Sequence, residues 1–233
     1  MATHAIVSPE DWRTARIALL EEEKALTRQL DALRARRRAL PWTRVEKDYR
    51  FTGPEGTLTL ADLFGSNSQL VTYHFMFAPS WENGCSGCSF VADHFDGANL
   101  HLAHHDVSLV AVSRAPLAEF QSFKKRMGWR FPWVSSAGSD FNYDFGVSFG
   151  REPEAERNAG YNYRPGEPPP AEELPGLSVF LKDDEGAVFH SYSTYARGLD
   201  LLIGAHNLLD LTPKGRNETG TMDWVRHHDR YDG

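Results

Sequence analysis

Cysteine is scarce in this chain: 233 residues contain two, Cys85 and Cys88. Two cysteines exclude a scaffold stapled by several disulfides. They also fall short of a zinc site built from two cysteine pairs. Long apolar runs are missing as well, and no stretch approaches the roughly 20 apolar residues needed to cross a membrane. Positive charge is in deficit, with 25 Lys and Arg against 32 Asp and Glu and a net charge of -7, so no general affinity for nucleic acid is expected. The one basic cluster, Arg34 to Arg38, lies in a charged helix and reads as a solvated face. The opening residues, MATHAIVSPEDW, lack the charged-then-apolar pattern of a secretion signal. A cytoplasmic setting is expected, with neither membrane nor nucleic acid as partner. In a reducing compartment an isolated cysteine pair points to catalysis or metal binding rather than to a structural staple.

What is present is enough chain for one domain with a sizeable core, plus decoration. Residues 9 to 40 read as one long helix, opened by Ser8 as N-cap and Pro9 in the first turn and closed by Pro41. Leu19, Leu26, Leu33 and Leu40 recur every seven residues, one heptad after Trp12. The second apolar position of each heptad holds Arg16, Glu23, Leu30 and Arg37, so a free zipper is not expected. The stripe suits a helix laid on its own domain or a homodimer through that helix. Residues 41 to 56 read as a connector. The boundaries drawn are a helical arm over 1–45 and a domain over 46–233.

The rest alternates. Gln69 to Phe77 is a buried strand, Cys88 to about His105 is helical with a break at Gly97, and Val107 to Ser113 is a second buried strand. Pro116 opens a helix to Met127 with Leu117, Phe120 and Phe123 on one face, and Phe131 to Val134 is a short strand. Such alternation is the mark of an α/β sheet with parallel strands and right-handed crossovers. Residues 135 to 176 break the pattern with glycines, prolines and the aromatics Phe141, Tyr143, Phe145, Phe149, Tyr161 and Tyr163, and read as an ordered insertion, a lid or a packing arm. Leu177 to Leu181 and Ala187 to Tyr192 form a hairpin. Leu199 to Leu209 is a terminal helix, and the tail from Thr212 is polar with Trp224 as its one aromatic anchor.

The chemistry concentrates in VTYHFMFAPSWENGCSGCSFVADHFD, Val71 to Asp96: strand, turn, then helix, with Cys-X-X-Cys at the helix start. A helix N-terminus favours a thiolate, and beside a βαβ pattern the motif reads as a thioredoxin-like redox pair. Cys85 is the expected nucleophile and Cys88, one turn on, the resolving thiol. Trp81 is a candidate for the substrate surface; Glu82 reads as solvated. A peroxidase of this fold carries Pro-X-X-X-Thr-X-X-Cys, whereas here Glu82 stands at the threonine position and Pro79 is one residue out of place. Copper-delivery relatives use Cys-X-X-X-Cys with a distant histidine; His190 is the candidate, but the cysteine spacing is one residue short. Tyr192, Tyr195 and Arg197 either line the cysteine face or cap the terminal helix. Pro175 is the candidate for the proline that faces the cysteines ahead of the third strand.

The blocks EKALTRQLDALRARRRALPW, FMFAPSWENGCSGCSFVADHFDG, LVAVSRAPLAEFQSFKKRMGWRFPWVSS, DFNYDFGVSF, SVFLKDDEGAVFHSYSTYARGLD and LDLTPKGRNE span nearly the whole chain. In them the sequence resembles the bacterial thioredoxin-like family of predicted dithiol-disulfide oxidoreductases, domain-of-unknown-function family 899. The resemblance implies a thioredoxin-like central sheet flanked by helices, after a long N-terminal helix and with an aromatic-rich insertion. It carries Cys85 and Cys88 over as the redox pair. No cofactor is expected, and the partner would be a disulfide-bearing protein or a small thiol. The competing functions are a non-enzymatic binding module on the same fold and a copper or zinc protein.

Overall fold

The computed structural model describes residues 4–150, 160–164, 167 and 169–232. The chain divides into two compact units, Met1–Pro41 and Trp42–Gly233.

The first unit is helix α1, Pro9–Arg38. Ser8 has extended φ/ψ and its hydroxyl oxygen accepts from the Asp11 N–H at 3.1 Å, which satisfies one of the orphan donors of the first turn. Glu10 and Asp11 at the start and Arg36, Arg37 and Arg38 at the end complement the helix dipole. None of its residues is buried. The Trp12, Leu19, Leu26, Leu33 and Leu40 stripe is exposed throughout. No helix among the described residues is long and apolar enough to cross a membrane.

In the second unit, eight strands among the described residues form one sheet. They are β1 (Thr43–Arg44), β2 (Arg50–Gly53), β3 (Gly56–Thr59), β4 (Gln69–His74), β5 (Val107–Ser113), β6 (Trp133–Ser135), β7 (Gly176–Lys182) and β8 (Val188–Tyr195). The spatial order is β1-β8-β7-β4-β5-β6-β2-β3. Strands β4, β5 and β6 run parallel, while β7 is antiparallel to both β4 and β8. The helices are α2 (Ser86–Ala92), α3 (Phe95–Ala103), α4 (Leu117–Arg126), α5 (Phe141–Asp144) and α6 (Gly204–Leu209). The kernel β5-β4-β7-β8, with helices α2 and α3 carrying the chain from β4 to β5 and α6 following β8, is the thioredoxin arrangement. The parallel strand β6 and the β2–β3 hairpin extend one edge.

Side chains alternate across the sheet. From β4 and its extension, Val71, Tyr73 and Phe75 enter one core with Phe77, Phe120, Phe123, Trp129 and Trp133; Leu70 enters a second core with Phe51, Phe64, Phe141 and Phe180. Helices α2, α3 and α4 cover the first core and α5 the second. Phe120 stacks on Trp133 at 4.6 Å between centroids and Phe75 meets the same indole at 4.5 Å. Rings buried this completely each stabilise the fold by roughly 1.5–3 kcal/mol. The first core is therefore a rigid floor for the elements above it.

Several local expectations change. The stretch 41–56 is more than a connector: it holds β1, β2 and the first residue of β3. The helix after the cysteines breaks at Asp93–His94 instead of Gly97. There Asp93 accepts from the Trp129 indole at 2.8 Å and the His94 ring bonds the Phe90 carbonyl at 2.9 Å. The terminal helix is a 3-10 segment, Ala196–Leu202, followed by α6, because buried Ile203 leaves helical geometry between them. The described part of the insertion packs: Phe141 and Val147 are buried, and Tyr161 and Tyr163 lie 5.5 and 5.6 Å from the Tyr195 ring. Residues 151–159 of that insertion lie outside the described residues.

Candidate functional site

Strand β4 continues as Phe75–Met76, the chain turns over Ala78–Gly84, and the Cys85 N–H returns to the Met76 carbonyl at 3.2 Å. Ser80 takes a left-handed φ of 68°, and its N–H donates to Glu119 on α4 at 2.7 Å. Gly84 is pressed onto the first core. A β-carbon there would lie 2.6 Å from the Phe75 ring and 3.0 Å from that of Phe123, so no side chain fits. The turn is thereby clamped from below and from α4, and it delivers Cys85 as the N-cap of α2.

The two thiols are free and differ in environment: Cys85 is half-buried, Cys88 buried. Hydrogen bonding from the Cys88 thiol, aided by the Cys88 and Gly87 N–H groups, holds the Cys85 pKa down to about 6 although burial acts the other way. Burial, with the Cys85 charge alongside, pushes the Cys88 thiol well above its usual range. The Tyr73 hydroxyl, on β4 beneath the motif, is buried and has no hydrogen-bond partner of ordinary geometry. It still lies close enough to Cys88 for each group to shift the proton affinity of the other.

The remaining sequence candidates fall in different places. Trp81 is half-buried and packs on the first core beside the cysteines, as Met76 does. Pro175 immediately precedes β7, whose first residue pairs with His74 at the end of β4, the point from which the cysteine turn departs. The Pro175 carbonyl accepts from the Tyr161 hydroxyl at 2.8 Å, and that oxygen accepts from the Ala196 N–H at 3.0 Å. Burial raises Tyr161 to about 12, with a smaller contribution from the Cys88 charge, which ties the insertion to the thiol side. Tyr192 pairs with Val179 and shares its face, that of the first core. Tyr195 pairs with Gly176 and is buried, its hydroxyl donating to the Phe145 carbonyl at 2.9 Å. Arg197 projects into solvent and pairs with Asp200 at 3.0 Å.

His190 lies across the sheet from the thiols. It stands against Phe145 and Phe180 and closes a polar chain through the second core: His74 Nε2 to Ser178 Oγ at 2.9 Å, Ser178 to Ser193 at 2.8 Å, and Ser193 to His190 Nε2 at 2.7 Å. That placement removes His190 as a third ligand to the cysteines.

The polar tail does more than anchor through Trp224. Val225 is buried, and Trp224 meets Phe90 at 5.5 Å. Arg126 on α4 can only donate, so His227 Nδ1 accepts from it at 2.9 Å; His227 Nε2 then carries the proton and donates to the Gly84 carbonyl at 2.8 Å. Arg126 also donates to the Asn83 side chain, and its Nε stands 3.0 Å from Asp229, off the line a hydrogen bond needs. The tail is thus tied to the turn that presents Cys85. Tyr73, Arg126, Met222 and His227 were not singled out from sequence. The tail's polarity hides its packing, and the adjacent Trp224-Val225 was the one signal pointing to it.

Fold and site together define a thioredoxin-fold protein with two unlike thiols at the head of one helix. The chain belongs to the family described as bacterial protein of unknown function (DUF899), matched over residues 1–231. No curated protein matches it. Among solved structures it is similar to peroxidoxin BcpB of Mycobacterium tuberculosis, at 18% identity over 70% of this chain and 94% of that one, with a TM-score of 0.46. It is also similar to a PrxQ variant of Xylella fastidiosa, at 14% identity over 72% and 94%, with a TM-score of 0.44. A secreted disulfide oxidoreductase of Mycobacterium tuberculosis, homologous to DsbE of E. coli, is 18% identical over 67% and 92%, with a TM-score of 0.37.

Proposed function

We propose that the protein is a dithiol-disulfide oxidoreductase acting on a disulfide-bearing protein or a small-molecule disulfide. The observation that carries this reading is the asymmetry of the pair. Cys85 is half-buried and held to about 6, whereas Cys88 is buried and stays protonated. At neutral pH Cys85 is thiolate and Cys88 is thiol, the division of labour that exchange requires.

In the reductive direction the Cys85 thiolate attacks one substrate sulfur. A Cys85–substrate disulfide forms, the substrate S–S bond breaks, and the first substrate thiolate leaves. Cys88 then gives up its proton to a departing thiolate or to water. As Cys88 becomes an anion, the Tyr73 hydroxyl is placed to donate to it. Cys88 attacks Cys85 Sγ, the internal disulfide closes, and the second substrate thiolate leaves. Two protein thiols are oxidised and one substrate disulfide is reduced to two thiols.

The test uses the reduced full chain with a chromogenic aromatic disulfide. Cys85→Ser should abolish reduction. Cys88→Ser should accumulate a mixed disulfide on Cys85, visible as a mass increase that dithiothreitol removes. Undiminished turnover in both variants would end this reading.

A further inference from the structure

Met222 packs on the edge of the first core beside the cysteine motif, and the exchange chemistry makes no use of its sulfur. Its backbone is left-handed, with φ 58°, a conformation that strains a residue other than glycine by about 1–3 kcal/mol. A network built from the tail holds it there. The Met222 N–H donates to Glu218 at 3.1 Å, and Asp223 collects the Thr219 N–H at 3.1 Å, the Thr219 hydroxyl at 2.6 Å and the Gly220 N–H at 2.9 Å. Before this turn, Arg216 is fixed to Asp210 at 2.8 Å; after it, Val225 is buried in the first core. The product of this arrangement is a placed sulfur atom. A β-carbon set on Gly87 would lie 3.4 Å from Met222 Sδ and 3.8 Å from Cys85 Sγ, so both sulfurs border one point above the first turn of α2. Cys88, buried one helical turn beyond Cys85, adds a third sulfur.

We propose that the reduced pair and Met222 form a three-sulfur site for a soft monovalent cation, Cu(I). Thiolate and thioether donors select Cu(I) over harder ions. Zinc wants a fourth ligand, and no group of three or more His, Cys, Asp or Glu side chains among the described residues gathers to hold a metal. Gly87, which lacks a side chain, leaves the approach between the sulfurs open. Methionine, unbranched and with three rotatable side-chain bonds, can close the remaining distance without moving the backbone. Binding is not a redox step. Cu(I) is bound by the Cys85 thiolate, the Met222 thioether and Cys88, whose proton is released to solvent. When a substrate disulfide oxidises the pair, taking up two electrons and leaving as two thiols, the Cys85–Cys88 bond forms, both thiolates are lost and the ion is released. The site uses the same cysteines as the exchange reaction but does not depend on that reaction taking place.

The experiment is an anaerobic titration of the reduced full chain with Cu(I) against a chromophoric Cu(I) chelator, with X-ray absorption at the copper edge. One Cu(I) per chain and three sulfur neighbours are expected. Met222→Leu should leave two sulfur neighbours and weaken binding at least tenfold. Gly87→Ala, which puts a methyl group between the sulfurs at a helix position that accepts alanine, should weaken binding by a similar factor while circular dichroism stays unchanged. Two sulfur neighbours in the unsubstituted protein, or an affinity that neither substitution changes, would overturn the proposal. Disulfide reduction is read separately on metal-free protein, so its failure and the failure of the copper site are distinct results.

Discussion

At the residue scale, the Cys85–Cys88 pair sets the first measurable quantity. Only the thiolate reacts with iodoacetamide, so alkylation of Cys85 should be slow below pH 6 and level off above about 7, following the pKa of about 6. Cys88→Ala removes the leading cause of that depression, and the profile should move toward the pKa of an ordinary cysteine. Tyr73→Phe removes a buried hydroxyl that neighbours Cys88. A hydrogen bond to a charged group is worth roughly 1.5–3 kcal/mol, so the resolving step should slow by at least about tenfold and mixed disulfide should persist in stopped-flow traces. His74 works on stability. Burial keeps its ring neutral in the folded chain down to about 3, while in the unfolded chain it takes up a proton near the ordinary histidine value of 6.5. Between those values the unfolded state binds the extra proton. Stability is therefore undiminished above pH 6.5 and declines as the pH falls below it, by about 2 kcal/mol at pH 5. Urea unfolding at pH 7.5 and pH 5 should show this loss, and His74→Gln should lack it.

At the element scale, legibility followed how locally each element is determined. Strands β4 and β5 could be read because they are buried on both faces and rich in β-branched and aromatic side chains, and α4 because Phe120 and Phe123 share one face. Strands β1 and β2 could not. β1 is two residues whose register is set by β8, with Thr43 opposite His190, and β2 is joined to β6 by the pairing of Thr52 with Ser135. The β8 and β6 partners are remote in sequence and leave no local trace, whereas the β2–β3 hairpin, with Gly53 opposite Gly56, is local and was passed over. The β7–β8 hairpin was legible, but the facing of its residues was not. A register shift at Val179/Phe180 pairs Val179 with Tyr192 and Phe180 with His190, so His190 and Tyr192, two apart, face opposite sides. Strict alternation would have put them together. The turn before Cys85 was legible in the order strand, turn, helix, yet its fit to the aromatic floor was not. That fit is testable. Gly84→Ala forces a methyl group into the Phe75 and Phe123 rings and should lower stability by about 1–3 kcal/mol in urea unfolding.

At the scale of the whole molecule, the thiol site is assembled from segments far apart in the chain: β4 and its turn, α4 through Arg126, the insertion through Tyr161, and the tail through Met222 and His227. The motif alone marked the chemistry, but the residues that surround it are joined only by folding. Arg126→Ala should release the tail, and limited proteolysis should then cut between Thr212 and Arg230 faster than in the unsubstituted protein. The tail's place near the end of the sequence also orders events during synthesis. Cys88 precedes Met222 by 134 residues (222 − 88), which at roughly 5–20 residues per second is about 7–27 s of translation. Throughout that interval the nascent chain carries both thiols without the segment that later shields them. Oxidants, glutathione or metal ions can reach the pair before that segment is made, and exchange on the completed chain can then reset the state of the thiols.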